Sequence, residues 1–206
     1  MNISLQQVSK RFQQHWIFKQ VTYDFSTGNA YALLGANGSG KSTLLRVIAG
    51  MQAASKGQVI YTDATGAAIN TQQAFRNISF TAPGQEIIEE LTMREFLDFH
   101  FSFKKPLQGL RIDDIIALTG LQAAADKPLG DYSSGMKQRV KLAQAIFSDT
   151  PVLMVDEPCT NLDEAGTEQY RTWMETYAKH RLVLVASNDV REYFFCREKI
   201  MVESYK

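Results

Sequence analysis

The chain has 206 residues, 45% of them hydrophobic and 21% charged, with Lys+Arg and Asp+Glu equal at 22 each. That length suits one well-buried domain, with room for a small insert but not for two large units. Balanced charge argues against a bulk electrostatic attraction to nucleic acid or an anionic bilayer surface. The opening Met1-Asn-Ile-Ser-Leu carries no apolar leader, and no run approaches the length of a membrane span. Cys159 and Cys196 lack metal-ligand spacing and read as reduced cytosolic thiols. The expectation is a cytosolic protein whose contact with a membrane comes through a partner.

Residues 1–28 read as an antiparallel start. Ile3 and Leu5 alternate, as do Val21, Tyr23 and Phe25, around a polar bend at Gln13-Gln14-His15. An aromatic exposed near that bend, Phe12 or Trp16, could stack on a nucleotide base, and either side chain equally suits a core. Residues 30–34, Ala-Tyr-Ala-Leu-Leu, form a short apolar strand. Gly35, Ala36, Asn37, Gly38, Ser39, Gly40, Lys41, Ser42 and Thr43 follow, and they match the phosphate-binding pattern G-x-x-x-x-G-K-[ST]. Residues 43–49 then read as a helix that stops at Gly50. Strand, glycine loop and helix are the context the pattern needs. The glycines free the backbone so that successive N–H groups surround a phosphate, and the helix N-terminus adds partial positive charge. In this pattern Lys41 reaches the terminal phosphates and the Ser42 hydroxyl holds Mg²⁺.

Residues 57–61 read as a strand followed by a loop rich in Thr, Ala, Gly and Asn, and residues 78–80 as another short strand. Pro83-Gly84 breaks the pattern. Beyond it, residues from about 84 to 148 are mostly helical. Thr92 and Glu95 form a capping box, residues 112–118 a second helix, and Met136, Val140, Ala143 and Phe147 the apolar stripe of a third. Sheet character returns with the apolar runs 151–155 and 181–186 and closes with 199–202. In an open α/β sheet ligands sit at the carboxyl ends of strands, so the segments after Leu34, Val155 and Ala186 should carry the chemistry. Asp156, directly after the first of these later runs, suits a Mg²⁺ held through water. Glu157 beside it suits a group that orients or deprotonates an attacking water.

With these residues in this order, the sequence resembles the ATP-binding cassette (ABC) family, the nucleotide-binding subunits of ABC transporters, over nearly its whole length. Tyr132-Ser133-Ser134-Gly135-Met136-Lys137-Gln138-Arg139 resembles the family signature, usually Leu-Ser-Gly-Gly-Gln, and keeps Ser133 and Gly135. Thr160-Asn161-Leu162-Asp163 resembles the D-loop, and Phe12, after Ser9-Lys10-Arg11, the aromatic that stacks on adenine. The family's Mg²⁺-binding glutamine, aligned backward from Leu91-Thr92, falls on Pro83, and the nearest glutamine, Gln85, takes the role. Asn188 stands at the family's switch histidine. It can donate a hydrogen bond to a γ-phosphate oxygen but has no proton to exchange near neutral pH.

The resemblance implies an α/β phosphate-loop NTPase core of ABC type, with an N-terminal antiparallel β portion and an inserted helical subdomain. It implies ATP and Mg²⁺ as cofactors, an integral membrane transporter subunit as partner, and a second copy facing the first head to tail. Ser133 and Gly135 then lie against the other copy's nucleotide, Asp163 of the D-loop is a further nucleotide-binding residue, and no nucleic acid is expected. The length resembles compact cassettes, without room for a C-terminal regulatory domain. Two other classes stay open: a nucleotide-binding regulatory subunit with weak hydrolysis, and a soluble, non-transport ABC-type ATPase.

Overall fold

The computed structural model describes residues 1–206. In chain order, strands β1 (Asn2–Phe12), β2 (His15–Phe25) and β3 (Ala30–Leu34) lead into helix α1 (Lys41–Ile48). Strands β4 (Lys56–Thr62), β5 (Ala68–Ile69) and β6 (Ile78–Thr81) precede helices α2 (Met93–Phe103), α3 (Ile112–Thr119) and α4 (Ser134–Ile146). Strand β7 (Val152–Asp156), helix α5 (Glu164–Tyr177) and strands β8 (Leu182–Ala186) and β9 (Glu198–Met201) complete the chain. One sheet is antiparallel, in the order β2-β1-β4-β5, and the other is parallel, in the order β6-β7-β8-β3-β9.

The hairpin register pairs Ile3 with Phe25 and Leu5 with Tyr23, as the alternation of apolar side chains requires, and an irregularity between Leu5 and Val8, where Gln7 has φ +53°, sets Val8 opposite Val21. The stretch after β4 is less irregular than its composition suggests. One Asp63 carboxylate oxygen accepts from Thr65 N, Thr65 Oγ1 and Ala67 N, and the turn it builds returns the two residues of β5 onto β4. A two-residue strand is too short to show any period.

The parallel sheet separates two cores. On β7, Val152 and Met154 face the core that contains α1, whereas Leu153 and Val155 face helices α2 to α5. On β8, Leu182 and Leu184 oppose Val183 and Val185 in the same way. Every residue of these two strands is buried, which is why they read as continuous apolar runs without alternation. Helix α1 lies in the core shared by the two sheets and buries Leu44, Leu45, Val47 and Ile48. Helix α4 buries Val140 and Ala143, and Phe147 just past its end meets Trp173 of α5 edge-on, with ring centroids 5.2 Å apart. Because all five strands run parallel, Leu34, Asp156 and Ala186 end on the same side, and the loops that follow them share one edge.

Candidate nucleotide site

The loop between β3 and α1 requires glycine at its two ends. Gly35 has φ +144° and Gly40, the N-cap of α1, φ +108°. A Cβ on Gly35 would lie 2.7 Å from Ser39 Oγ, and one on Gly40 would lie 2.5 Å from Ile17 Cγ2. Lys41 is 4% exposed, and its Nζ donates to Gly35 O at 2.8 Å and Ala36 O at 3.2 Å. Ser39 Oγ is buried in the same loop without a partner. A buried ammonium, an unpaired hydroxyl and a helix N-terminus make a cradle suited to phosphate oxygens. Thr43 sits half-buried in the first turn of α1. Ala36 N–H donates to Glu203 Oε1 at 2.8 Å, so a carboxylate near the end of the chain holds the start of the loop.

Asp156, 3% exposed, accepts from Ser42 Oγ at 2.9 Å. Burial raises its carboxyl above the usual range, the Ser42 hydrogen bond lowers it, and the Glu157 charge raises it again. No group of three His, Cys, Asp or Glu side chains converges on any point of the structure. A cation at Ser42 and Asp156 must therefore complete its shell with phosphate and water oxygens, which is how Mg²⁺ is commonly held. These two oxygen donors fit it.

Glu157 adopts φ +42°, a left-handed conformation that is strained for any residue with a Cβ. Its N–H donates to Ala186 O at 2.9 Å, carrying the β7–β8 pairing one residue past the strand end. Beyond it opens a cavity of about 570 Å³ whose lining includes Asn37, Glu157, Asp163 and Asn188. The exposed Asn188 donates from Nδ2 to Asn37 Oδ1 at 3.1 Å, tying the loop after β8 to the phosphate loop. All three strand-end segments thus meet at one place.

Other residues lie apart. Ser133 caps α4, accepting from Met136 N at 3.3 Å, and a Cβ on Gly135 would approach Asn161 O to 2.9 Å. Both line a separate cavity of about 400 Å³. Asp163 borders both cavities but is engaged structurally: it caps α5 through Gly166 N at 2.8 Å and pairs with Arg139 at 3.1 Å. The Gly166 N–H is the main cause of its lowered carboxyl pKa. Phe12, at the end of β1, is 46% exposed, with Lys10 Nζ 5.1 Å from its ring centroid, so it is not a core residue. Trp16 is half-buried between Arg11 and Lys56. Gln85 borders a groove of about 210 Å³ together with Phe80, His100 and Lys104, and no phosphate-loop residue lines that groove. Its Oε1 is buried without a partner. Both cysteines are free, and burial pushes each thiol up to about 12, so neither is a reactive nucleophile.

Three further residues shape this site. Glu203 is one. Gln138, 3% exposed, donates to Pro158 O at 2.8 Å and ties α4 to the segment after Glu157. Glu192 is the third, and is taken up below.

A parallel sheet in which β3, flanked by β8 and β9, feeds a glycine loop and helix, with a strand-end Asp holding the helix Ser, defines a phosphate-loop NTPase core. The family model described as ABC transporter matches residues 18–160, and the chain belongs to that family. Among curated relatives, a sulfate/thiosulfate import ATP-binding protein CysA of Thermosynechococcus vestitus is 31% identical over 207 residues, covering 98% of this chain and 61% of its own length. A probable sulfate/thiosulfate import ATP-binding protein CysA of Chlorella vulgaris is 32% identical over 177 residues, covering 84% of this chain and 74% of its own. The chain thus spans 61%, 60% and 58% of the cyanobacterial relatives that it matches. A putative ABC transporter ATP-binding protein from Pyrococcus furiosus superimposes with a TM-score of 0.80 at 22% identity, covering all of both chains. A bacterial Atm1-family ABC exporter with ATP bound gives 0.79 at 16% identity over 98% of this chain and 37% of its own. These structures speak for the fold: an α/β core of ABC type with an antiparallel portion at its N-terminus. No helix is long and apolar enough to cross a membrane.

Proposed function

We propose that this chain binds and hydrolyses ATP to power an ABC-type membrane transporter, working as a head-to-tail pair with a second copy or a related cassette. The observation that carries the reading is the contact of Ser42 Oγ with the buried Asp156 carboxylate, 2.9 Å, beside the buried Lys41. Mg²⁺, when bound, would supply positive charge to offset the negative charge of the phosphates. Ser42 and Asp156 are the residues that would hold it. Lys41 and the N–H groups of the glycine loop bind the phosphates, and the exposed Phe12 offers a ring for the base. Glu157, bordering the cavity, orients the attacking water and receives its proton, while Asn188 donates from Nδ2 to the γ-phosphate. Gln85 would act as a further metal ligand if its loop swings toward Ser42, and its partnerless Oε1 supports that role.

Ser133 and Gly135, at the α4 N-terminus, face a cavity of their own, so they serve the nucleotide of the other copy. Residues 84–148 form the helical portion that carries them, within a single domain. The chain sits on the cytoplasmic face of the membrane through an integral subunit. The groove walled by β6, α2 and α4, and bordered by the exposed Met51 and Phe75, suits that subunit's apolar side chains. Glu157→Gln tests the reading. It should bind ATP, stall turnover and accumulate an ATP-bound dimer by light scattering; undiminished turnover, or monomer alone at saturating ATP and Mg²⁺, would contradict it.

A further inference from the structure

Glu192 lies outside every motif of this chain, yet it is 4% exposed and no cation pairs with it. The nearby Arg191 is engaged instead by Asp189, through two nitrogens. Burying an unpaired carboxylate is costly unless hydrogen bonds satisfy it. Here both oxygens are used. Oε1 accepts from Cys159 N at 2.6 Å, and Oε2 accepts from Ser187 Oγ. The two donors belong to different loops. Cys159 lies two residues after Glu157, and Ser187 immediately precedes Asn188.

The residue is itself anchored. Its backbone N–H donates to Asp189 O at 3.0 Å, and its carbonyl accepts from the hydroxyl of the fully buried Tyr170 at 2.8 Å, which fixes it to α5. Ser187 Oγ also accepts from Asp189 N at 2.8 Å, so the start of the second loop is closed around the same point. Glu157, Cys159, Ser187, Asn188 and Glu192 all border the one cavity of about 570 Å³.

We propose that Glu192 is a positioning residue, whose carboxylate locks the loop carrying Glu157 to the loop carrying Asn188 and holds the two side chains at a set separation. The inference rests on the reading of Glu157 and Asn188 as groups at the reacting phosphate. Small misplacements of such groups cost rate far more than binding, because binding is carried by the phosphate loop.

The test uses the full chain with ATP and Mg²⁺. Glu192→Ala should lower kcat by about ten- to a hundredfold while changing nucleotide Kd by less than about threefold. Glu192→Gln should restore most of the rate. Its Oε1 can accept from Cys159 N, and its amide can donate to Ser187 Oγ, whose oxygen accepts twice. Ser187→Ala, which removes one link only, should fall between wild type and Glu192→Ala, and it decides the matter if Glu192→Ala does not fold. Amide hydrogen exchange should show residues 157–163 and 187–189 opening together in Glu192→Ala and not in Glu192→Gln. Wild-type kcat in Glu192→Ala, a Gln variant as slow as Ala, or unchanged exchange in both segments would overturn the proposal. A wild type without turnover would defeat the ATPase reading instead, and the exchange pattern alone would then decide for or against the lock.

Discussion

Helices α1 and α4 are each preceded by a small capping residue, Gly40 and Ser133, yet the surroundings of their N-termini differ. At α1 the chain supplies everything an anionic phosphate needs: the buried Lys41, the Ser42 hydroxyl and a carboxylate suited to a cation. At α4 the Ser133 cap and Gly135 line a cavity with Asn161, and Arg139 beside them is taken up by Asp163. In the proposed pair, one terminus is furnished within its own chain and the other is completed by a second copy. The difference teaches that a helix N-terminus by itself confers little, and that the side chains around it decide what it can hold.

The largest effect falls on the furnished end. Lys41→Ala removes the point charge on the β- and γ-phosphates and should weaken ATP binding by about a hundredfold or more. A titration giving unchanged affinity would remove α1 from the site and erase the contrast. The second effect is on rate. Asn188→Ala should lower turnover by about tenfold or more, as expected for losing one donor to the transition state, with little change in affinity. Asn188→His should keep or raise the rate. If only the His variant turns over, the chain is a nucleotide-binding regulatory subunit.

The third effect concerns stability at the groove away from the phosphate loop, outside the nucleotide contrast itself. His100 is packed beside Lys104 with its Nε2 on Ser148 Oγ at 2.9 Å, and burial, with the Lys104 charge, lowers its pKa from 6.5 to about 4. The unfolded chain therefore binds a proton that the folded chain refuses between those two values. Stability should be full above pH 6.5 and fall as pH drops toward 4, by about 3 kcal/mol from this group. Denaturant unfolding of His100→Gln beside wild type, at several pH values, checks it: the variant should lose this part of the acid sensitivity. Equal pH profiles would show that His100 titrates normally.

Much of the fold was legible because its signals are local. The glycine spacing at Gly35, Gly38 and Gly40 reflects backbone conformations that only the chain's own geometry demands. The runs of β7 and β8 are apolar throughout because both faces of the sheet are covered. Asp156 and Glu157 stand out by following such a run. What could not be read acts across the fold: Glu203 on Ala36, Gln138 on Pro158 and Glu192 on Cys159 join residues 167, 20 and 33 positions apart. Asp163 shows the intermediate case. Its cap on α5 had a local signal, an Asp three residues before Gly166, which its place in the D-loop pattern overshadowed. At Gln85 the count along the loop fell short, on Pro83, and the Gln85 side chain borders the groove and not the phosphate loop.

The central claim is that the α1 and α4 termini are halves of one site shared by two copies, and mixing tests it most directly. Lys41→Ala spoils the first half. Ser133→Asp keeps the α4 cap, since Asp caps as well as Ser, but sets a negative charge against the other copy's phosphates. Each variant alone should turn over almost no ATP. An equimolar mixture should recover activity, because a mixed pair joins an intact phosphate loop from one copy to an intact Ser133 from the other. A mixture as inactive as its components, with mixed pairs demonstrated by their mass, would contradict the shared site.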